Sequence, residues 1–242
     1  MCRDGEVIAG RNAVIQTISS KTVNKLFLNK ERKDKELLSL AKSKNIPTVF
    51  VDKTYLDKIS NHANHQGVVC ITSPIDYLEL SDLIKKNKDV KYPMILMLDE
   101  VQDVNNLGAI MRIVDAFNIN GIIINKRRSA PVNATVSKIS TGAINHVDIC
   151  RVNNLSQAID KLKASGYFIA ALDMVGEQTT KSNDYQLPLV VVVGGEDKGV
   201  TKMMKKLCDY SINIPMGGHI NSLNVSSAVS IICYEKYMSS LS

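Results

Sequence analysis

Two short, continuous apolar runs, MILML at residues 94–98 and LVVVV at 189–193, constrain the fold most. A strand with one face in solvent alternates apolar and polar residues, whereas an unbroken apolar run is typical of a strand buried on both faces. Amphipathic patterns at 107–117, 155–164 and 200–207 predict helices between such strands. We therefore predict an α/β fold whose sheet is mostly parallel and covered by helices.

The chain divides by pattern into two domains. Residues 1–75 alternate short strands with short helices and predict a small α/β domain of their own. Residues 76–92 carry one short apolar helix and then a polar, lysine-rich stretch that ends at Pro93, which we interpret as a linker. Residues 93–242 contain the buried strands and form the larger predicted domain.

Composition narrows the class of protein. No apolar run is long enough for a membrane span, and the first residues lack an apolar signal stretch. The five cysteines are scattered and odd in number, which favours a reduced, cytoplasmic chain over a disulfide framework, and no histidine and cysteine pattern predicts a metal site. A net charge of +6 favours a polyanionic partner such as RNA.

Three loops that follow predicted strands carry the candidate chemistry: 99–108, 194–199 and 215–224. Parallel sheets bind ligands beyond the carboxyl ends of their strands, so these loops are expected to share one edge. Each also has a simpler interpretation, because Asn106, Ser222 and Asn224 suit helix starts and GGEDKG suits a tight turn. Arg112 follows Asn106 by less than two turns, and we expect it to lie near the same side of the helix.

The three loops together resemble a known family. DEVQDVNNLGAIMR, VVVGGEDKGV and INIPMGGHINSLNVSSAVSIICYE are similar, in residue type, order and spacing, to the three motifs of the SpoU family of RNA 2′-O-ribose methyltransferases. GRNAVIQTI and HQGVV near the start resemble the L30e-like RNA-binding domain that many members carry. One departure is Val104, which follows Asp103 where the family usually has proline.

The resemblance implies a trefoil-knotted α/β methyltransferase domain, S-adenosylmethionine as methyl donor, and a homodimer formed through the knotted domains. It implies a set of cofactor-binding residues at three strand ends: Gly194, Ile214 and Leu223, with Leu172, Gly195 and Met216 beside them. It also implies a polar catalytic set: Asn106, Arg112, Glu196, Ser222 and Asn224. The expected RNA contacts are Arg11, Asn12, His65, Gln66, Arg127 and Arg128, each of which also fits a solvated surface.

The chemistry of the reaction suggests how the catalytic set acts. A ribose 2′-hydroxyl is a poor nucleophile, so the enzyme must align it with the methyl group and help its proton leave. Arg112 is predicted to contact the 2′-oxygen and stabilise its developing charge, while the other four residues orient Arg112 and the ribose. The favoured target is a guanosine in 23S rRNA. The alternatives are tRNA, another rRNA nucleotide of the antibiotic-resistance type, or a non-catalytic RNA-binding protein.

Overall fold

A computed structural model describes residues 7–20, 22–31, 34–72, 75–196, 198–219 and 222–241. The chain forms two compact units: unit 1 comprises Met1–Asp76 and Pro131–Ser137, and unit 2 comprises Tyr77–Ala130 and Lys138–Ser242. This division differs from the predicted one in two places. The segment 131–137 belongs to unit 1, and most of the predicted linker belongs to unit 2.

Unit 1 is built on a four-stranded sheet in the order β1-β4-β2-β3, with β2 and β3 parallel and the other pairs antiparallel. A helix follows each of the first three strands, and the alternation from β2 onwards agrees with the predicted pattern, whereas β1 was not predicted. Its elements are β1 (Val7–Ala9), α1 (Arg11–Ser20), β2 (Val23–Asn29), α2 (Lys35–Ser43), β3 (Thr48–Val51), α3 (Lys53–Ile59) and β4 (Val68–Thr72).

Unit 2 contains a seven-stranded sheet in the order β7-β6-β5-β10-β8-β11-β9, and every pairing in it is parallel. The two apolar runs become its central strands, and every residue of both is buried, which confirms the prediction of a mostly parallel α/β fold. The strands are β5 (Met94–Asp99), β6 (Ile122–Asn125), β7 (Ile149–Val152), β8 (Phe168–Leu172), β9 (Gln178–Thr179), β10 (Leu189–Gly194) and β11 (Tyr210–Asn213).

The helices of this part of the chain extend the sequence prediction. The predicted linker contains a helix whose Leu80 and Leu83 are buried in the core of unit 2. These side chains pack there because an exposed linker would leave them in water. Residues 131–154, for which we predicted no element, hold a helix, a 3-10 turn at Ala143–Asn145 and β7. The helices are α4 (Leu80–Lys86), α5 (Val104–Ala116), α6 (Ala134–Ile139), α7 (Leu155–Ala164), α8 (Lys202–Leu207) and α9 (Val225–Leu241).

The register of the central strands positions the site. Gly194 at the end of β10 pairs with Asp99 at the end of β5, and Ile212 of β11 pairs with Leu172 of β8. The carboxyl ends of these parallel strands therefore open at one edge of the sheet. The polar loops that follow them are brought together there, as the sequence predicted.

Candidate active site

The site is held in place by a close approach between two backbones. A Cβ atom on Gly194 would lie 1.8 Å from the carbonyl carbon of Gly199, so only glycine fits at the end of β10. The buried carboxylate of Asp99 accepts a hydrogen bond from the backbone N–H of Thr201 at 2.8 Å, while its carbonyl accepts one from Gly195 at 3.0 Å. These contacts fix both ends of the loop that carries Glu196.

Three of the five predicted catalytic residues meet in one hydrogen-bonded cluster. One carboxylate oxygen of Glu196 accepts hydrogen bonds from the side-chain amides of Asn106 and Asn224, both at 2.7 Å. The amide of Asn224 also donates to the carbonyl oxygen of Asn106 at 3.1 Å. Asn106 is 7% exposed, whereas Glu196 and Asn224 are exposed, so the cluster has one buried end and one end in solvent.

The cluster changes the simple interpretation of its asparagines. Asp103, not Asn106, caps α5, because its side chain accepts the backbone N–H of Asn105 at 2.6 Å. The helix therefore begins correctly with Val104 in place of the family's proline. Asn224 does cap α9, since its side-chain oxygen accepts the backbone N–H and the hydroxyl of Ser226 at 2.9 and 2.6 Å. Its amide nitrogen remains available for the cluster.

Arg112 does not join this cluster within one chain, and our expectation that it lies beside Asn106 was wrong. Each helical residue advances about 100°, so six residues turn about 240° around the axis and end on another face. Arg112 is exposed and lines a separate cavity of about 350 Å³ with Ala109, Ile113, Ala116, Phe117 and Ile139. It makes no hydrogen bond or ion pair to any residue that the structure describes.

A cavity of about 370 Å³ opens beside the cluster. Its wall includes all six predicted cofactor residues and two predicted catalytic ones: Leu172, Gly194, Gly195, Ile214, Met216, Leu223, Glu196 and Ser222. Met216 and Leu223 expose 39% and 44% of their surface there, which is unusual for large apolar side chains unless a ligand or partner covers them. The volume lies within the range of about 300–1,000 Å³ that small-molecule sites occupy.

Sequence reasoning missed three charged residues of this region. Asp99 fixes the loop of Glu196, and Asp173 and Lys205 form an ion pair at the wall of the cavity. Two of them could have been found from the sequence. Asp99 ends β5 and Asp173 follows the last residue of β8, and ligands bind beyond the carboxyl ends of such strands. Lys205 could not, since it lies on a short helix rich in lysine.

Two of the four predicted RNA contacts of unit 1, Arg11 and His65, are engaged with protein groups. Arg11 pairs with Asp34 at 2.6 Å and with Glu36, and these hydrogen bonds raise its pKa. His65 is buried, with Nε2 bonded to Asp57 at 2.9 Å and Nδ1 accepting the backbone N–H of Gly67 at 2.9 Å.

The other predicted RNA contacts are more accessible. Asn12 and Gln66 are exposed in unit 1, although the side-chain oxygen of Gln66 accepts the backbone N–H of Arg11 at 3.2 Å. In unit 2, Arg128 pairs with Glu100 at 2.9 Å, and Arg127 is exposed.

Among the described residues, no group of three or more acidic, histidine or cysteine side chains could hold a metal ion. No described helix is both long and apolar enough for a membrane span.

Comparison with known proteins gives two family matches. Residues 93–234 match the model of the SpoU rRNA Methylase family, and residues 7–78 match that of the RNA 2′-O ribose methyltransferase substrate binding domain. A TrmH family tRNA/rRNA methyltransferase of Staphylococcus haemolyticus is 39% identical over 96% of this chain and 94% of its own. The TrmH family protein YacO of Bacillus subtilis is 36% identical over 98% and 97%.

Solved structures agree with the fold. The SpoU methyltransferase AviRb from Streptomyces viridochromogenes, in complex with AdoMet, superposes with a TM-score of 0.63 at 23% identity, covering 99% of this chain and 91% of that one. A TrmH/SpoU tRNA modifying enzyme of A. aeolicus is 31% identical over 66% of this chain and 83% of its own, with a TM-score of 0.55.

Proposed function

The chain is a member of the SpoU rRNA methylase family, and from this membership we propose that it methylates the ribose 2′-hydroxyl of a nucleotide in RNA, with S-adenosylmethionine as donor. A guanosine of 23S rRNA is the favoured target. The substrate-binding match over residues 7–78 supports an RNA partner for unit 1. The trefoil knot that the resemblance implies is part of the same proposal.

The observation that carries the proposal is the position of the Asn106, Glu196 and Asn224 cluster at the edge of the 370 Å³ cavity. The cavity fits the donor in chemistry as well as in size. Ile214, Met216 and Leu223 offer apolar surface suited to the faces of an adenine ring. The strand-end glycines leave backbone groups accessible for its polar edge.

The chain's own residues supply positioning and charge stabilisation. The donor, when bound, provides a methyl group already activated on a sulfonium sulfur. Glu196, held by two amides, is fixed in orientation and presents its remaining lone pairs to a ribose hydroxyl. Alignment of the reacting groups contributes up to about 7–11 kcal/mol in well-oriented systems. The cluster is therefore suited to orienting the 2′-hydroxyl beside the donor cavity.

Arg112 requires a second copy of the chain to act at this cluster. Phe117 of α5 lines the same cavity as Arg112, and the centroid of its ring lies 6.0 Å from those of Tyr234 and Tyr237 of α9. Tyr234, Tyr237 and Met238 are 47%, 38% and 41% exposed, and an apolar surface of this kind marks an interaction site. We propose that two unit 2 surfaces pair here, so that Arg112 of each subunit serves the site of the other.

A tRNA substrate is the second candidate. It is favoured by the A. aeolicus relative, which is described as a tRNA modifying enzyme, and by the tRNA/rRNA description of the relatives from Staphylococcus and Bacillus. Both candidates share the chemistry and the catalytic residues proposed above. They differ only in the RNA that unit 1 and the basic loop of Arg127 select.

The proposal is tested by transfer of tritiated methyl groups from S-adenosylmethionine to total RNA, followed by mapping of the modified nucleotide. Wild-type protein is expected to label a ribose 2′-oxygen. Arg112→Ala is expected to lose at least about 100-fold in rate, in the range found when a charge-stabilising donor is removed, with unchanged affinity for the donor by calorimetry. Near-normal turnover of this variant would contradict the role of Arg112, and label on a base would contradict the reaction.

A further inference from the structure

The ion pair between Asp173 and Lys205 is a feature of the donor cavity that the proposed mechanism does not use. Asp173 follows β8, and its other carboxylate oxygen accepts the backbone N–H of Met174 at 2.8 Å. Lys205 lies on α8 and exposes 40% of its side chain, whereas Asp173 exposes 18%. The pair thus presents one fixed negative and one adjustable positive group to the cavity.

Fold stability does not account for the location of this pair. An ion pair with one partner half in solvent contributes about 0–1 kcal/mol, since water and salt screen it. Each partner also retains capacity for further hydrogen bonds. The ammonium group has three N–H donors and the carboxylate about four lone-pair positions, of which these contacts occupy only a part.

The order of the sheet separates Asp173 from Asn106, the buried member of the catalytic cluster. The order of the sheet places β10 between β5 and β8, so the ends of β5 and β8 are about 10 Å apart at ordinary strand spacing. Asn106 belongs to the helix after β5, and Asp173 directly follows β8. If the sulfur of a bound donor lay near the cluster, one of the donor's two arms, adenosine or amino acid, would reach towards the pair.

Complementarity decides between the two arms. The adenine ring is matched by the apolar wall of Ile214, Met216 and Leu223. The amino-acid head carries an ammonium and a carboxylate side by side, and these match a carboxylate and an ammonium side by side. Resting on the proposed function, we propose that Asp173 and Lys205 form the subsite for the α-amino-acid head of the methyl donor, Asp173 receiving its ammonium and Lys205 its carboxylate.

The test compares two ligands that share the thioadenosine part and differ in the arm that carries the amino-acid head. S-adenosylhomocysteine carries the amino-acid head, and 5′-methylthioadenosine lacks it, while neither carries the sulfonium charge. Calorimetry on the full chain is expected to show that Asp173→Asn and Lys205→Met each weaken S-adenosylhomocysteine about tenfold, equal to 1.4 kcal/mol, and change 5′-methylthioadenosine by less than about twofold. Asp173→Asn keeps an oxygen acceptor for the N–H of Met174, so the turn is retained.

Matched controls come from neighbouring lysines. Lys206→Met removes the adjacent charge on α8, outside the cavity wall, and is expected to bind both ligands as wild type does. Lys198→Met removes the other lysine of the wall. The proposal is overturned if Lys198→Met alone reproduces the loss, if both ligands weaken equally in the Asp173 and Lys205 variants, or if neither variant changes S-adenosylhomocysteine. Wild-type protein that binds neither ligand would instead overturn the proposed function itself.

Discussion

At the residue scale, Asn224 shows how one side chain can serve both folding and the site. Its oxygen caps α9, and its nitrogen joins Asn106 to Glu196. The two atoms point in different directions, so the roles are separable by substitution. Asn106 has no such second role. It is buried, and among the described residues its side chain forms hydrogen bonds only with Glu196 and Asn224.

Asn224→Ala and Asn224→Ser are therefore expected to behave differently. Serine restores a cap acceptor but cannot bridge the cluster, whereas alanine does neither. We expect both to lose methyl transfer, and only alanine to lose about 1 kcal/mol of unfolding free energy in urea titration. Equal stabilities would show that the cap contributes little, and an active serine variant would remove Asn224 from the catalytic set.

Cys150 provides a pH dependence that can be assigned to one residue. Its burial, with Glu79 and Asp82 adding to the effect, raises the pKa of its thiol from 9.0 to about 12. The folded state then holds a proton that the unfolded state loses, so the stabilisation is complete below pH 9 and is lost as the pH rises towards 12.

Between pH 9 and 11, wild type is expected to lose up to about 1.4 kcal/mol of unfolding free energy per pH unit more than Cys150→Ala. The alanine variant starts from a lower stability because it leaves a small cavity, but its curve is flatter. The measurement is urea unfolding at a series of pH values. Parallel curves for the two proteins would contradict the assignment.

At the element scale, the loop between β10 and α8 depends on glycine for close packing and the loop between β11 and α9 does not. A Cβ on Gly194 would overlap the backbone of Gly199, whereas one on Gly217 would meet nothing within 4 Å. The first loop carries Glu196 on a rigid support. The second brings Met216 and Leu223 to the cavity.

Gly194→Ala is accordingly expected to cost about 3 kcal/mol or more of stability, since backbone rather than a flexible side chain must move. The shift would also displace Glu196 and remove binding of S-adenosylhomocysteine. Gly217→Ala is the matched control and should unfold within about 0.5 kcal/mol of wild type in urea. A stable, ligand-binding Gly194→Ala protein would show that the loop relaxes more freely than its packing indicates.

At the scale of the whole molecule, a single chain holds every part of the proposed site except Arg112. The cluster, the cavity and the loop that supports them lie within unit 2, while Arg112 faces an exposed apolar surface. The distribution is the reason for proposing a homodimer whose subunits exchange their arginines. It also makes the arrangement testable with mixed subunits.

In a mixed dimer of one Arg112→Ala subunit and one Glu196→Gln subunit, one site has both intact residues if the arginine acts on the partner's site. We expect about half of wild-type methyl transfer from purified mixed dimers, although each homodimer is inactive. If the arginine acts within its own chain, both sites are defective and no activity returns.

Tyr237→Lys places a charge on the proposed interface. We expect this variant to be monomeric, as measured by light scattering, and inactive.

The sequence predicted the fold class and the strand-end loops because both rest on local pattern. Unbroken apolar runs identify strands buried on both faces, and the residue after each strand is known once the strand is known. The same reasoning failed between residues 131 and 154, where short elements carry too few apolar positions to show a period. The short apolar helix predicted within residues 76–92 is present, but only the packed structure shows that its Leu80 and Leu83 are buried in the core of unit 2.

Residue type and spacing along the chain thus determined, without the structure, that this protein has an α/β fold with its polar loops at one edge. The tertiary structure alone decided which of those residues touch. Asn106 and Asn224 are 118 positions apart, and their contact depends on the register of a parallel sheet. The separation of Arg112 from the cluster, and the pairing of Asp173 with Lys205, likewise follow from where whole helices and strands pack, which no local pattern records.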